Sequence, residues 1–377
     1  MHRLTRVAAV QVALLVCATA AGATDYLVYA GTFTRGASRG IYAYRFQTVN
    51  GKLKPLGVAA EASNPTFLVE HPSHRFLFAV NENSPQGDVS AFAIDPQTGK
   101  LTLLNQVASR GAGPCHLALD RTARWLAVAN YESGSVAVFP VGSDGRLGQA
   151  VAFVQHHGSS VHPTRQKGPH AHCVLFSPDN RFLLAADLGL DQVLVYRFDA
   201  AKGSIAPNAP PFATVLPGAG VRHLAFHPDG KLLFAIDELS SAVTVFRYDA
   251  AAGALERFDT VSMLPADFKG VSTAAEIAVN AAGTFLYGSN RGHDSIALLA
   301  VDPQRLSVSL MERTPTLGRT PRHFALDPTG AFLLAANQDS DSIAVFRVHP
   351  RTGELTPAGS VLAGTPNPVC ILFVPAE

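Results

Sequence analysis

Self-similarity restricts this chain of 377 residues more than any other feature. The stretches "GPCHLALDRTARWLAVANYESGSVAVFPV", "GVRHLAFHPDGKLLFAIDELSSAVTVFRYD" and "TPRHFALDPTGAFLLAANQDSDSIAVFRV" share one plan. An apolar strand leads into a turn of the D-P-T-G or H-P-D-G kind. A second apolar strand, a polar turn and an alternating third strand follow. A weaker fourth strand comes after a "TGKL" or "TGEL" turn, as at Thr98–Leu101 and Thr352–Leu355. Taking the start of each first strand as an anchor gives Phe67, His116, His172, His223, Glu276, His323 and Cys370, spaced by 49, 56, 51, 53, 47 and 47 residues. Seven units of four antiparallel strands, each about 50 residues long, predict an all-β, seven-bladed β-propeller.

The ends fit a closed ring. The final "NPVCILFVP" supplies one inner strand, and "DYLVYAGTF" with "GIYAYRF" supplies outer strands that lack one. The N- and C-terminal strands are expected to share the last blade, which leaves no open edge. Two β-sandwiches fit poorly, because the repeat runs unbroken through the middle.

The first 23 residues read as a secretory signal peptide. His2, Arg3 and Arg6 precede the apolar run from Val7 to Val16, and Ala21-Gly22-Ala23 offers a cleavage site before Thr24. Residues 24–377 are then one propeller domain, exported to the periplasm or secreted. Without Arg3 and Arg6 the chain carries 28 basic and 29 acidic residues, so no electrostatic case exists for nucleic acid. No later apolar run is long enough to span a bilayer. Cys115, Cys173 and Cys370 form an odd set, which suits buried free thiols better than a disulfide framework. A closed ring has no need of a second copy, and a monomer is expected.

Antiparallel pairing places the start of strand one beside the end of strand two. His116 is therefore expected near Asn130-Tyr131, His172 near Asp187, and Arg222-His223 near Asp237-Glu238. Glu276 falls near Asn290-Arg291, and Arg322-His323 near Asn337-Gln338. These side chains crowd one mouth of the channel, while plain turns such as "SPDN" and "DPTG" occupy the other. The longest interval ends in "HHGSSVHPTRQKGPHAH", His156–His172, which reaches the crowded mouth. Its first part, His156 to His162, reads as a solvated lip. Arg165, Gln166 and Lys167 read either as a lip for an anionic substrate or as a solvated loop.

At these residues the chain resembles the β-propeller lactonases, a family that includes the propeller-type 6-phosphogluconolactonases and is related to the carboxy-cis,cis-muconate cyclising enzymes. The resemblance covers nearly all of residues 24–377. Its most specific pieces are "RQKGPHAH", "VRHLAFHP", "IDELSSAVTVF", "AAEIAV", "SNRGHDSI" and "TPRHFALD". It implies lactone hydrolysis without a bound cofactor. It also implies a catalytic set of one His, two Arg and one Glu, which falls on His172, Arg222, Arg291 and Glu238. The phosphogluconolactonases act in the cytosol, whereas this chain reads as exported, so a phosphorylated lactone is not its expected substrate.

Lactone hydrolysis needs an activated water and a stabilised oxyanion. His172 or Glu238 is expected as the base, with Arg222 and Arg291 handling negative charge; Arg222 and Glu238 alternatively pair and orient one another. Glu276 either pairs with Arg222 or Arg322 or is itself the base. His116, Arg165, Gln166, His170, His223, Glu276, Arg322 and His323 are the candidate substrate-binding residues. The recurrence of His116, His223 and His323 also fits a structural role in each blade. Zinc on His170 and His172 lacks a third ligand at a diagnostic spacing. The Asn and Asp residues at strand ends, Asn130, Asp187, Asp237, Asn290 and Asn337, suit turns better than calcium. The competing readings are a non-catalytic propeller that binds a ligand or protein and a muconate-type lactone cyclase.

Overall fold

The computed structural model describes residues 25–359 and 361–376. The signal-peptide reading of residues 1–23 lies outside the described residues. Within them, seven antiparallel sheets stand around a channel, six of four strands and one of five. We number the blades by their inner strands: Leu68–Glu70, Pro114–Leu119, Ala171–Phe176, Val221–Phe226, Thr273–Val279, Pro321–Leu326 and Pro368–Pro375. In blade seven the C-terminal strand pairs with Asp25–Thr32, setting Tyr29 opposite Leu372. The ring is thus sealed by its two ends.

The apolar runs of the sequence are explained by burial on both faces. Every residue of the second strands Phe182–Asp187, Leu232–Asp237 and Phe332–Asn337 is buried. The outermost strand Ala254–Ser262 has no buried residue. Seven hydrophobic clusters each join two neighbouring blades, so the core of this ring is a set of seams. A turn glycine tightens such a seam: Gly203 of blade three has φ +70°, and a Cβ there would lie 2.3 Å from the Trp125 ring of blade two.

At the plain mouth, the turns between first and second strands are held by one repeated device. Asp120 Oδ1 accepts from Arg124 N and Trp125 N at 2.9 Å each, and Asn280 Oδ1 accepts from Thr284 N and Phe285 N at 2.9 Å each. Such Asx turns use their polar atoms internally and leave little for a ligand.

Two expectations are corrected. The anchor of blade three is shifted by one residue: Cys173 faces Ala186 in the register that pairs His223 with Ile236 and His323 with Ala336. Cys173, not His172, is therefore the equivalent of His116, His223 and His323. The solvated lip also fails at its first residue. His156 is buried, with Nδ1 2.6 Å from Asp187 Oδ2 and Nε2 2.9 Å from the Tyr196 hydroxyl.

Candidate active site

The functional side chains reach the channel because six of the seven inner strands, those of blades two to seven, bulge near their start. Pro114 faces Asn130 and His116 faces Ala129, which leaves Cys115 as an extra residue. His172, Arg222 and Arg322 are the extra residues of blades three, four and six, and Val369 is that of blade seven. A bulge puts two successive side chains on the same side of a strand. One joins the mouth and the next joins a deeper layer of His116, Cys173, His223, Glu276 and His323. A second set comes from the residue after each strand-two Asn or Asp: Glu82, Tyr131, Glu238 and Arg291.

From these two sets, Cys115, His172, Arg322, Glu82, Tyr131, Glu238 and Arg291 line a cleft of about 290 Å³, joined by Arg165 and Thr273. Glu238 is its most heavily bonded group. Arg165 Nη2 donates to Oε1 at 2.7 Å, Arg222 Nε to Oε2 at 3.0 Å, and Arg291 Nη2 stands 3.0 Å from Oε2. Burial alone would raise this carboxyl, but Arg291, Arg222 and Arg165 outweigh it and hold Glu238 at about 2. A carboxylate that acidic accepts a proton poorly. Glu238 therefore organises arginines, in line with the alternative in which Arg222 and Glu238 orient one another.

His172 is the contrasting group. Burial, together with Arg222, His223 and Arg322, pushes its pKa well below the usual imidazole value. Its ring is uncharged at neutral pH. Tyr131 packs edge-on against its ring at 5.3 Å, and the Cys115 thiol lies 3.7 Å from Nδ1. Among the described residues no hydrogen bond engages its Nε2.

Below the cleft is a narrow space of about 10 Å³, close to one water. Arg222 lines this lower space and not the cleft. Its Nη1 donates to the Ala275 carbonyl at 2.5 Å and meets His223 Nε2 at 3.3 Å. His223 Nε2 then accepts, so Nδ1 carries the proton that goes to Glu276 Oε2 at 3.1 Å. His323 Nε2 lies 3.2 Å from the same oxygen, and the Ile277 amide donates to Oε1 at 2.9 Å. Of the two alternatives for Glu276, pairing with Arg222 or Arg322 is not seen among the described residues; its ionic partners are these two histidines. Burial raises its pKa against the pull of His323 and Arg222. It is a buttress for the ring of histidines.

Several expected ligand contacts are turned elsewhere. The Gln166 amide is fully buried, donating to Leu188 O and Asp191 Oδ1 at 2.8 Å each and accepting from His162 N at 2.9 Å. It staples its own loop and does not line the cleft. His170 stacks on Tyr131 at 4.5 Å, with Nδ1 3.0 Å from the Tyr131 carbonyl. His116 lies deep, 4.1 Å from the Phe67 ring, with its Nδ1 accepting from Val174 N at 3.4 Å. Arg165 and Arg322 do line the cleft. Arg322 makes no ion pair among the described residues and lies over Phe33 at 5.1 Å. The strand-end Asn and Asp side chains bond locally, as Asn130 Nδ2 does to Ser109 O and Asp237 Oδ2 to Thr244. No group of three or more His, Cys, Asp and Glu side chains suited to a metal occurs among the described residues.

Glu82 and Thr273 line the cleft and were missed. The pairing rule that places Glu238 at the mouth places Glu82 there too, because Asn81-Glu82 ends the second strand of blade one as Asp237-Glu238 ends that of blade four.

The fold and the cleft define a seven-bladed propeller with a neutral imidazole and several guanidiniums gathered at one mouth. A family model described as "Lactonase, 7-bladed beta-propeller" matches residues 27–373, and the chain belongs to that family. A 6-phosphogluconolactonase of Bacillus subtilis is 37% identical over 351 residues, covering 93% of this chain and 99% of the relative. A periplasmic gluconolactonase of Pseudomonas aeruginosa superposes with a TM-score of 0.89 at 38% identity, covering 94% of this chain and 100% of the other. A putative 6-phosphogluconolactonase of Bacteroides fragilis superposes at 0.87 with 35% identity, covering 93% and 98%.

Proposed function

We propose that this protein is an exported lactonase that opens an unphosphorylated sugar-type lactone at the channel mouth, by acid–base chemistry assisted by arginine and without a metal. The observation that carries the reading is the meeting of neutral His172 with cationic Arg291 and Arg322 in one cleft. Kinship supports it, since relatives along nearly the full length are named for gluconolactone and phosphogluconolactone. Export rests on the N-terminal pattern of the sequence and on the word periplasmic in the name of the Pseudomonas aeruginosa protein.

His172 takes a proton from water as the water oxygen bonds to the lactone carbonyl carbon. The carbonyl electron pair moves to oxygen and is met by Arg291 or Arg322. When that pair returns, the ring carbon–oxygen bond breaks and the ring oxygen takes up a proton. The product is an open hydroxy acid. Arg222 acts from below by holding Glu238, and Glu238 in turn holds Arg165 and Arg291 at the rim.

A proton-release assay of the purified protein over aldonic and muconic lactones tests the proposal, with and without chelator. Turnover of an aldonic lactone, unchanged by chelation and lost in His172→Gln, is expected. No turnover of any lactone by the folded protein would overturn it in favour of a non-catalytic binding ring.

A further inference from the structure

We infer that Glu82 is the general acid of this site, delivering the proton that the lactone ring oxygen needs as its bond to the carbonyl carbon breaks. The inference rests on the lactone-hydrolase reading above. A sugar hydroxyl leaves poorly as its anion, so a positioned proton donor lowers that barrier.

Placement is the first argument. Glu82 lines both the cleft and the narrow space beneath it, and so do His172, Cys115 and Arg322. The carboxyl and the imidazole thus open onto one volume. The backbone of Glu82 is pinned, with its amide donating to Asn64 O at 2.9 Å and its carbonyl accepting from Asn64 Nδ2 at 3.4 Å. Thr66 Oγ1 donates to Oε2 at 2.5 Å. Oε1 has no partner among the described residues, so a proton on Oε1 would be the one free to leave.

The direction of the Glu82 pKa agrees. Burial raises Glu82 above the usual carboxyl value, and Glu132 adds to this, against Arg322, Thr66 and Arg222. The Cys115 thiol, itself pushed up chiefly by burial, and His223 and His323, both pushed down chiefly by burial, line the same narrow space. A raised carboxyl beside a depressed imidazole is an acid and a base assigned to different residues.

The step balances. His172 gains the water proton as the new carbon–oxygen bond forms. Glu82 loses its proton to the ring oxygen as the old bond breaks. The imidazolium then restores Glu82 through solvent in the cleft, so one water and one lactone give one hydroxy acid.

The test compares wild type and Glu82→Gln on δ-gluconolactone, whose leaving oxygen is an alkoxide, and on dihydrocoumarin, whose leaving oxygen is a phenolate needing little help. The variant is expected to lose about 10²-fold in kcat on gluconolactone and roughly threefold or less on dihydrocoumarin. Its kcat/KM on gluconolactone should also lose the alkaline limb that marks ionisation of Glu82. Thr66→Val keeps Glu82 but removes a bond that lowers its pKa, so the alkaline limb should move to higher pH. Equal losses on both lactones, full activity of Glu82→Gln on gluconolactone, or an unmoved limb in Thr66→Val would each overturn the assignment. Failure of the wild type on both lactones would instead remove the hydrolase reading, and this inference with it.

Discussion

Glu82 and Glu238 stand at the same position of the repeat, in blades one and four, and they are opposite kinds of carboxyl. Glu238 receives Arg165 from the loop before blade three, Arg222 from its own inner strand and Arg291 from the next blade. It is ionised and held near 2. Glu82 has one hydroxyl, from Thr66, and makes no ion pair among the described residues; Arg322 and Arg222 pull its pKa down from a distance, and Glu132 works against them. It is raised. The repeat determines where each carboxyl sits, and its neighbours determine what it can do. One site thereby holds an anion that organises cations and a second carboxyl raised above its usual range, the one we infer to give up a proton.

Removing the charge of Glu238 is expected to have the largest effect, because it leaves buried guanidiniums uncompensated. Glu238→Gln should lose about 3–5 kcal/mol in urea denaturation. A loss below about 1 kcal/mol would show the arginines to be satisfied by solvent, and the contrast with Glu82 would weaken. The pH dependence follows in sign. The folded pKa of Glu238, about 2, lies below the ordinary 4.5, so its contribution is present above about pH 4.5 and is lost as pH falls through 2. Wild type should lose roughly 3 kcal/mol over that window, and Glu238→Gln should be flatter there.

His172→Gln is expected to lower kcat by about 10²–10⁴-fold with stability nearly unchanged, since its ring makes few bonds. Comparable losses of kcat and of melting temperature would make His172 a packing residue and leave the site without a base. Arg322→Ala comes next. It breaks no ion pair among the described residues, so stability should stay within about 0.5 kcal/mol, while kcat/KM falls about tenfold from the loss of a charged contact worth ~1.5 kcal/mol. Because Arg322 also lowers Glu82, its removal should shift the alkaline limb of kcat/KM upward.

Glu82→Gln should act on stability in the opposite direction to Glu238→Gln. A carboxyl raised in the folded state contributes stability below its ordinary pKa and loses it as pH rises through the raised value. The amide has no such loss. Glu82→Gln should therefore match wild type at low pH and be modestly more stable at neutral pH. A variant less stable at neutral pH than at low pH, relative to wild type, would mean that Glu82 is ionised and paired like Glu238.

Blade count and ring closure were legible because strands buried on both faces leave continuous apolar runs that recur every 47 to 56 residues. The loaded mouth was legible because antiparallel pairing fixes which strand ends meet. The bulge was not: one extra residue changes no apolar pattern, yet it moves His172 into line with Arg222 and Arg322. The company of Glu238 was also hidden, since Arg165 lies 73 residues before it and nothing local marks the contact. Glu82 escaped because blade one begins at Phe67, with no charged neighbour to draw attention to its strand end.

The smallest expected effect concerns the loop that brings Arg165 to Glu238. His156 ties one end of that loop to Asp187, and Gln166 ties the other to Leu188 and Asp191. Asp191 keeps other donors, from Gly220 N at 2.6 Å, Gly218 N at 2.7 Å and Ser160 Oγ at 2.5 Å. Gln166→Ala should therefore cost only about 1–2 kcal/mol. Arg165, next to it in sequence, would hold Glu238 less firmly, and Glu238 would move slightly toward the condition of Glu82. A fall of roughly threefold in kcat/KM is expected, with the acid unfolding midpoint moved to higher pH because the carboxylate is less well paired. Arg165→Ala should reproduce both changes and hide any further effect of Gln166→Ala. Additive losses in the double variant would mean that Gln166 serves the site by some route other than Arg165.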